Sequence, residues 1–379
     1  NCYENWLISN IINDNFHIMN EKQSGESPNA LSPYMADVLE QPLALERLIS
    51  SMEGAQLEAP LKKLLGAKRV VLAGMGSSHF TTYPILRAML AAGVPAWWID
   101  SAELLENLMA FDSPDTVFWL TSQSGESGET TKLVDLIRQD SFVVGITDNS
   151  ESTLAKRSNF LIELKSGPEA TVSAKSYVNS IAVARVVAEA LGQKTGSLAA
   201  LNRLAQDSKL IKRYLDDGEV NIQRFGDFAR DRHLLITGRG EAAISAEAAA
   251  LILKEASKRP VEGMSAGVLR HGVIELASPE TSVLIFDHSE SQNVNPDHAS
   301  ANQALAKELI QHGCEVGWVG GIGAKQIAPA GSKVFEINRN LDPMIGDALV
   351  FQSLSFAFAE RKGIEAGSFK VATKVTTKI

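Results

Sequence analysis

Arg69-Val-Val-Leu-Ala-Gly-Met-Gly-Ser-Ser78 is the stretch on which the fold turns. A short run of β-branched and aliphatic residues passes through a double-glycine turn into a helical stretch at 79–92, which is the opening of a βαβ unit. Outward from it, strands are read at Ala96–Asp100, Thr116–Thr121, Phe142–Thr147 and Phe160–Leu164. Ser122-Gln-Ser-Gly-Glu-Ser127 and a helix through Arg138 follow the third of these. Short β-rich runs alternating with helices predict an α/β fold with a parallel sheet.

The pattern then repeats. His233-Leu-Leu-Ile-Thr237 and Gly238-Arg-Gly240 mirror the first strand and turn, each glycine displaced by 164 positions, and Thr281–Phe286 echoes Thr116–Thr121 at an offset of 165. Glu315–Val319 and Val334–Ile337 echo the later strands, and the stretches 176–191 and 198–214 read as Ala- and Leu-rich connecting helices. Two copies of one unit, about 45–200 and 215–362, are expected. With flanking segments the chain divides into a polar leader (1–34), a first domain with entry and connecting helices (35–214), a second domain (215–362) and a tail (363–379). Apolar positions from Met35 to Met52 follow a helical period, with Pro42 bending or restarting it.

Composition narrows the function. The 379 residues are 45% hydrophobic and 21% charged, ample for two cores. A net charge of −9 argues against nucleic acid as a partner, but not against a small anion held by backbone N–H groups and hydroxyls. Cys2 and Cys314 make no disulfide framework and have no metal-ligand companion at short spacing, so a reducing, cytoplasmic setting is expected, with no metal or other cofactor. No apolar run approaches the ~18 residues of a membrane span. The first twenty residues lack the basic start of a signal peptide, and Met19 is read as the native start.

In open parallel sheets, ligands sit beyond the carboxyl ends of the strands, near the switch in strand order. Gly74–Ser78 and Ser122–Ser127 both lie at such ends. Either loop alone reads as capping and turning; together, with hydroxyls, an amide and a helix start, they point to phosphate binding. The second copy carries Asp287-His-Ser-Glu290 at the corresponding place, so one phosphate site per chain is expected. Gly238-Arg-Gly240 is an incomplete dinucleotide motif.

The pair GMGSS and SQSGES, in this order at strand ends, resembles the sugar isomerase (SIS) domain family of phosphosugar-binding proteins. From Met35 to the tail the chain is similar to the isomerase half of glucosamine-6-phosphate synthase and to stand-alone SIS-type deaminases. The resemblance implies two tandem SIS domains, each a five-stranded parallel sheet flanked by helices in a flavodoxin-like three-layer sandwich. It implies phosphate binding by Gly76, Ser77, Ser78, Ser122, Gln123, Ser124 and Ser127. It implies a proton-transferring carboxylate at Glu255, a ring-opening histidine at His271 that reaches a neighbouring subunit's site, and a carbonyl-engaging lysine at Lys374. A homodimer with shared sites follows. The segment Glu169–Lys175 is one residue shorter than the family's and is given no role, and the tail's Thr-Lys-Val-Thr departs from the family's small residue, lysine, serine.

Taken without the resemblance, Glu255 reads as a surface glutamate paired with Lys254 and Lys258, and Lys374 as a solvated tail lysine. A desolvated carboxylate suits proton transfer between adjacent carbons, and Glu247 on the same predicted helix is the fallback base. His271 lies in a glycine-bounded turn, Gly267–Gly272, while His79 is read as packing at a helix start. Cys2 is not read as a glutaminase nucleophile, because no glutaminase-sized domain stands between it and the first copy. Without that ammonia source the deaminating direction is expected: glucosamine 6-phosphate to fructose 6-phosphate and ammonia. The rivals are a galactosamine-6-phosphate deaminase, a fructosamine-6-phosphate deglycase, another phosphosugar isomerase, an ammonia-using synthase, and a non-catalytic phosphosugar-binding regulator.

Overall fold

Among the described residues, ten strands form two sheets. The computed structural model describes residues 31–52, 57–192, 197–216, 225, 227–290, 295–338, 340–371 and 373–376. The leader up to residue 30, with Cys2 and Met19, lies outside the described residues. In the first sheet, β1 (Arg69–Gly74), β2 (Ala96–Trp98), β3 (Thr116–Thr121), β4 (Phe142–Thr147) and β5 (Phe160–Glu163) run in the order β2-β1-β3-β4-β5, all parallel. In the second, β6 (His233–Gly238), β7 (Val261–Ser265), β8 (Thr281–Phe286), β9 (Glu315–Gly321) and β10 (Lys333–Ile337) take the order β10-β9-β8-β6-β7. Read from the other edge this is the same arrangement, so the internal repeat is real. Strands β3 and β8 are buried along their whole length, as central strands covered by helices on both faces must be.

The expected helices depart from the observed ones where local chemistry intervenes. The stretch 79–92 is two helices, Ser77–Phe80 and Tyr83–Ala91. Between them the hydroxyls of Thr81 and Thr82 donate back to the carbonyls of Ser78 and His79, and Pro84 has no N–H with which to continue the ladder. The helix after Ser127 ends at Leu136 rather than Arg138. Pro42 restarts the entry segment: one helix, Pro33–Leu39, ends before it, and Pro42 is the second residue of the next, Gln41–Met52, where a missing N–H costs nothing. Of the five strands expected in the second sheet, β7 is the one whose position the sequence did not reveal. Its core, Glu262-Gly263, hides the alternation, and Gly263 is there because a Cβ would lie 2.1 Å from Ala246 O on the helix beneath. The segment before His271, read as a turn, is a short helix, Ala266–Arg270, capped by Ser265 Oγ.

One apolar cluster runs through both units, joining Leu45, Val70 and Ile181 to Leu253 and Phe351. The helices Glu241–Ser257 and Pro343–Arg361 lie inside it, and Gln41 Nε2 donates 2.9 Å to Gln352 Oε1 across it. The two units are therefore held in a fixed relation, which places the end of one helix beside loops of the other. Among the described residues, no helix is long and apolar enough to cross a membrane.

Candidate active site

The order β2-β1-β3 makes the gap beyond β1 and β3 the topological switch of the first sheet, and both expected loops line it. The Ser122–Ser127 loop is held to its neighbours by backbone bonds. Ser122 N donates to Ile146 O (2.9 Å), Asp148 N to Gln123 O (3.0 Å) and Leu154 N to Gly125 O (3.2 Å). Gly125 N donates to Ser122 O, and Glu126 N to Ser124 Oγ. Gly125 has φ +66, and the Glu126 carboxylate takes Thr153 N and Thr153 Oγ1, closing the loop from the outside. Ser127 precedes the helix Gly128–Leu136, and its hydroxyl donates to Thr130 Oγ1 rather than capping the first turn. Gln123, Ser124 and Ser127 stay half-exposed, as do Gly76, Ser77 and Ser78 on the neighbouring loop. His79 is buried and stacked on Trp98 with ring centroids 3.9 Å apart, and burial pushes its imidazole down to about 4. That is the packing role expected of it.

The second domain supplies Glu255 through the helix Glu241–Ser257. A Cβ on Gly76 would meet Leu251 Cδ2 at 3.2 Å, so the helix crosses the glycine turn at Leu251. Glu255, four residues on, occupies the same face one turn further along. Burial raises its carboxyl above the ordinary range, against the downward pull of Lys374, Lys258 and Lys254. Glu247 is also raised by burial, but it lies two turns back, where the helix packs on β7.

The tail completes the crevice. Gly367 N donates to Ala256 O (2.9 Å), beside Glu255, and Gly128 N donates to Thr376 O (3.0 Å), beside the serine loop. Lys374 lies between these two anchors. Its Nζ donates to Glu169 Oε2 (2.6 Å) and to Thr171 O (2.7 Å). Glu169 is the residue that sequence reasoning missed. A lone acid in a Gly-Pro-Glu turn carries no local pattern, and its partner is 205 positions away. The loop bearing Glu169 is in turn fixed by Lys175, only 1% exposed, which bonds Glu40 Oε2, Asp37 Oδ1 and Pro168 O.

His271 is not part of this crevice within one chain. Glu255 precedes the start of β7 and His271 follows its end, so a strand of roughly 16 Å separates them. His271 is exposed, with Val268 and Leu276 exposed on either side. The equivalent switch in the second domain is spent internally: Arg239 Nε donates to Asn302 Oδ1, and Asn302 Nδ2 to Asp287 Oδ1. A cavity of about 360 Å³ lies elsewhere, lined by Arg230, Arg259, Arg361 and Lys362; Arg259 donates to Arg232 O, and Arg361 to Phe225 O and Phe228 O.

The SIS domain model matches residues 63–190 and 227–308, more than half of the chain. The chain belongs to the SIS domain family. A glutamine–fructose-6-phosphate aminotransferase (isomerizing) of Streptococcus mutans is 29% identical over 308 residues, 75% of this chain and 49% of the relative. This SIS chain thus spans about half the length of the curated relatives it matches. Among solved structures, the C-terminal domain of glucosamine-fructose-6-phosphate aminotransferase from Francisella tularensis superposes with TM-score 0.74 at 19% identity, covering 90% of this chain and 99% of that one. A glucosamine-6-phosphate deaminase of Thermotoga maritima (TM-score 0.68, 18%, covering 91% and 99%) shares the fold. So does a tagatose-6-phosphate ketose/aldose isomerase of Escherichia coli (0.69, 17%, 92% and 99%). The two five-stranded parallel sheets match the fold of these SIS structures.

Proposed function

We propose that this SIS chain is an amino-sugar-phosphate deaminase/isomerase that converts glucosamine 6-phosphate to fructose 6-phosphate and ammonia. The observation that carries the reading is the convergence of a desolvated carboxylate, Glu255, and a fixed ammonium, Lys374, on a loop of serine hydroxyls and helix-start N–H groups. Gly76, Ser77, Ser78, Ser122, Gln123, Ser124 and Ser127 hold the phosphate, so that binding energy far from the reaction orients C1 and C2. Glu255 takes the proton from C2 of the open-chain aldehyde and returns it to C1, leaving a 2-imino sugar. Lys374 stabilises charge at the reacting oxygen or nitrogen. Water adds at C2 and ammonia leaves, which yields the ketose phosphate.

Ring opening belongs to His271 of a second copy, since the chain's own His271 lies a strand away. That assigns shared sites to a homodimer whose contact face includes Val268 and Leu276. The working units are residues 35–214, 215–362 and the tail 363–379. Cys314, free and buried, fits a cytoplasmic setting.

The test is ammonia release from glucosamine 6-phosphate, galactosamine 6-phosphate and fructosamine 6-phosphate by the native chain and by Glu255→Gln. Ammonia from glucosamine 6-phosphate, reduced about 10²–10⁴-fold in the variant, is expected. Ammonia from one of the other two reassigns the sugar. Aldose–ketose interconversion without ammonia leaves an isomerase. Binding without turnover leaves a regulator.

A further inference from the structure

Lys374 acts on two carboxylates, bonding Glu169 and pulling down the carboxyl of Glu255 by its charge. Its ammonium is 2.6 Å from Glu169 Oε2, while Glu255 feels it as the largest of three neighbouring positive charges. The Glu169 side chain is fully buried and holds every lone-pair direction in use. Oε1 accepts from Ala174 N (2.8 Å) and Ser176 N (3.1 Å), and Oε2 accepts from Ser176 Oγ (2.7 Å) and Lys374 Nζ. A carboxylate fixed by three donors from Ala174 and the helix-start Ser176 is a rigid anchor, whereas Lys374 rides on a tail tied down at Gly367 and Thr376.

We propose that Glu169 is a positioning residue of the site: it pins the Lys374 ammonium to the first-domain loop and so keeps Lys374 from closing into an ion pair with Glu255. The inference rests on the reading of Glu255 and Lys374 as the acting groups. A base already paired with an ammonium is a poor proton acceptor, so an enzyme that needs both must hold them near each other and apart. The pair also couples tail docking to loop order, because Oε2 loses its bond to the Lys374 ammonium when the tail leaves.

The test is Glu169→Gln, which keeps an acceptor for Ala174 and Ser176 but offers Lys374 no charge. The groups facing Glu255 are Lys374 from the tail, Lys254 and Lys258 from its own helix and the residue after it, and Tyr34 from the entry helix. Those facing Glu169 are Lys374, Tyr34 and Asp148. With Glu169 neutral, Lys374 moves onto Glu255. The acid limb of the kcat profile on glucosamine 6-phosphate then moves to lower pH, kcat falls at least 10-fold, and KM changes less than kcat. Tryptic cleavage at Lys370 and Lys374 accelerates in the same variant. The limb of Glu169→Gln/Lys374→Met coincides with that of Lys374→Met alone, because Glu169 acts through the lysine.

An unmoved limb, or effects of the two substitutions that simply add, overturns the proposal. Should Glu169→Gln fail to fold, the charge-balanced double variant and tryptic release of the tail in Lys374→Met carry the test; a tail no faster to cleave overturns it. If the chain turns over no phosphosugar, the functional reading falls, while tail cleavage still decides whether Glu169 does the pinning.

Discussion

Gly125→Ala tests whether the serine loop is the binding element. Gly125 has φ +66, a conformation that costs an alanine about 1 kcal/mol or more. The added Cβ would stand 2.2 Å from Ser152 Oγ, 2.6 Å from Ser152 Cβ and 3.0 Å from Thr147 Oγ1. Ser152 cannot step aside freely. It is 0% exposed, and its Oγ caps the helix Thr153–Arg157 by accepting from Ala155 N. Overpacking of this kind costs about 1–3 kcal/mol and a lost cap about 1 kcal/mol, so the substitution absorbed in place costs about 3–5 kcal/mol. The loop has a cheaper escape: it swings outward, breaking Gly125 N to Ser122 O and Leu154 N to Gly125 O, and the phosphate cradle goes with it. Urea unfolding and KM for glucosamine 6-phosphate measure the two outcomes. Either a loss of about 3–5 kcal/mol or a KM raised by roughly 10-fold is expected. Adding Ser152→Gly removes both clashing atoms and leaves mainly the φ cost, so it restores part of the loss. A Gly125→Ala chain as stable as the parent, with the same KM, refutes the geometry; so does a double variant no better than the single one.

Three further outcomes follow from named groups. Lys374 pulls the Glu255 carboxyl down, so Lys374→Met moves the acid limb of kcat to higher pH, the reverse of Glu169→Gln; a limb that stays put removes Lys374 from the site. Asp207 is pushed up to about 7, by burial first and by Asp342 next, so its protonated form stabilises the fold below the unfolded value near 3.8 and that contribution is lost as pH rises toward 7. Thermal melts from pH 4 to 7 should show Asp207→Asn gaining on the parent by roughly 2–4 kcal/mol, and parallel curves would refute this. Mixed and refolded Glu255→Gln and His271→Asn chains should regain about a quarter of native activity, since half of the dimers carry one intact shared site; no recovery confines His271 to its own chain.

Much of this protein is settled by local sequence. Val70-Val-Leu, Val117-Phe-Trp-Leu and Leu234-Leu-Ile are strands because β-branched and large apolar residues pack on both faces of a covered sheet, and glycine turns that follow them force the βα step. The 164-residue echo established the duplicated unit, and the place of the serine loop at the end of β3 was legible from the apolar run before it. Pro42 announced its own helix restart. Where propensity was ambiguous, tertiary contact ruled: β7 exists because Gly263 lets it lie against the helix at Ala246, a fact about a distant backbone rather than about Val-Glu-Gly-Met-Ser.

The site was legible only as a set of residue types. Glu255 was named, but its desolvation depends on the helix crossing Gly76 at Leu251 and on a tail that begins more than a hundred residues later. Lys374 was named without its anchor, and Glu169 was passed over, because an ion pair spanning 205 positions leaves no periodicity in either segment. His271 and Glu255 are sixteen positions apart in the chain, yet they stand at opposite ends of β7. Local propensities decide elements because they act within a few residues. The crevice is decided by how a rigid core stacks those elements, since charge and burial depend on distance in space.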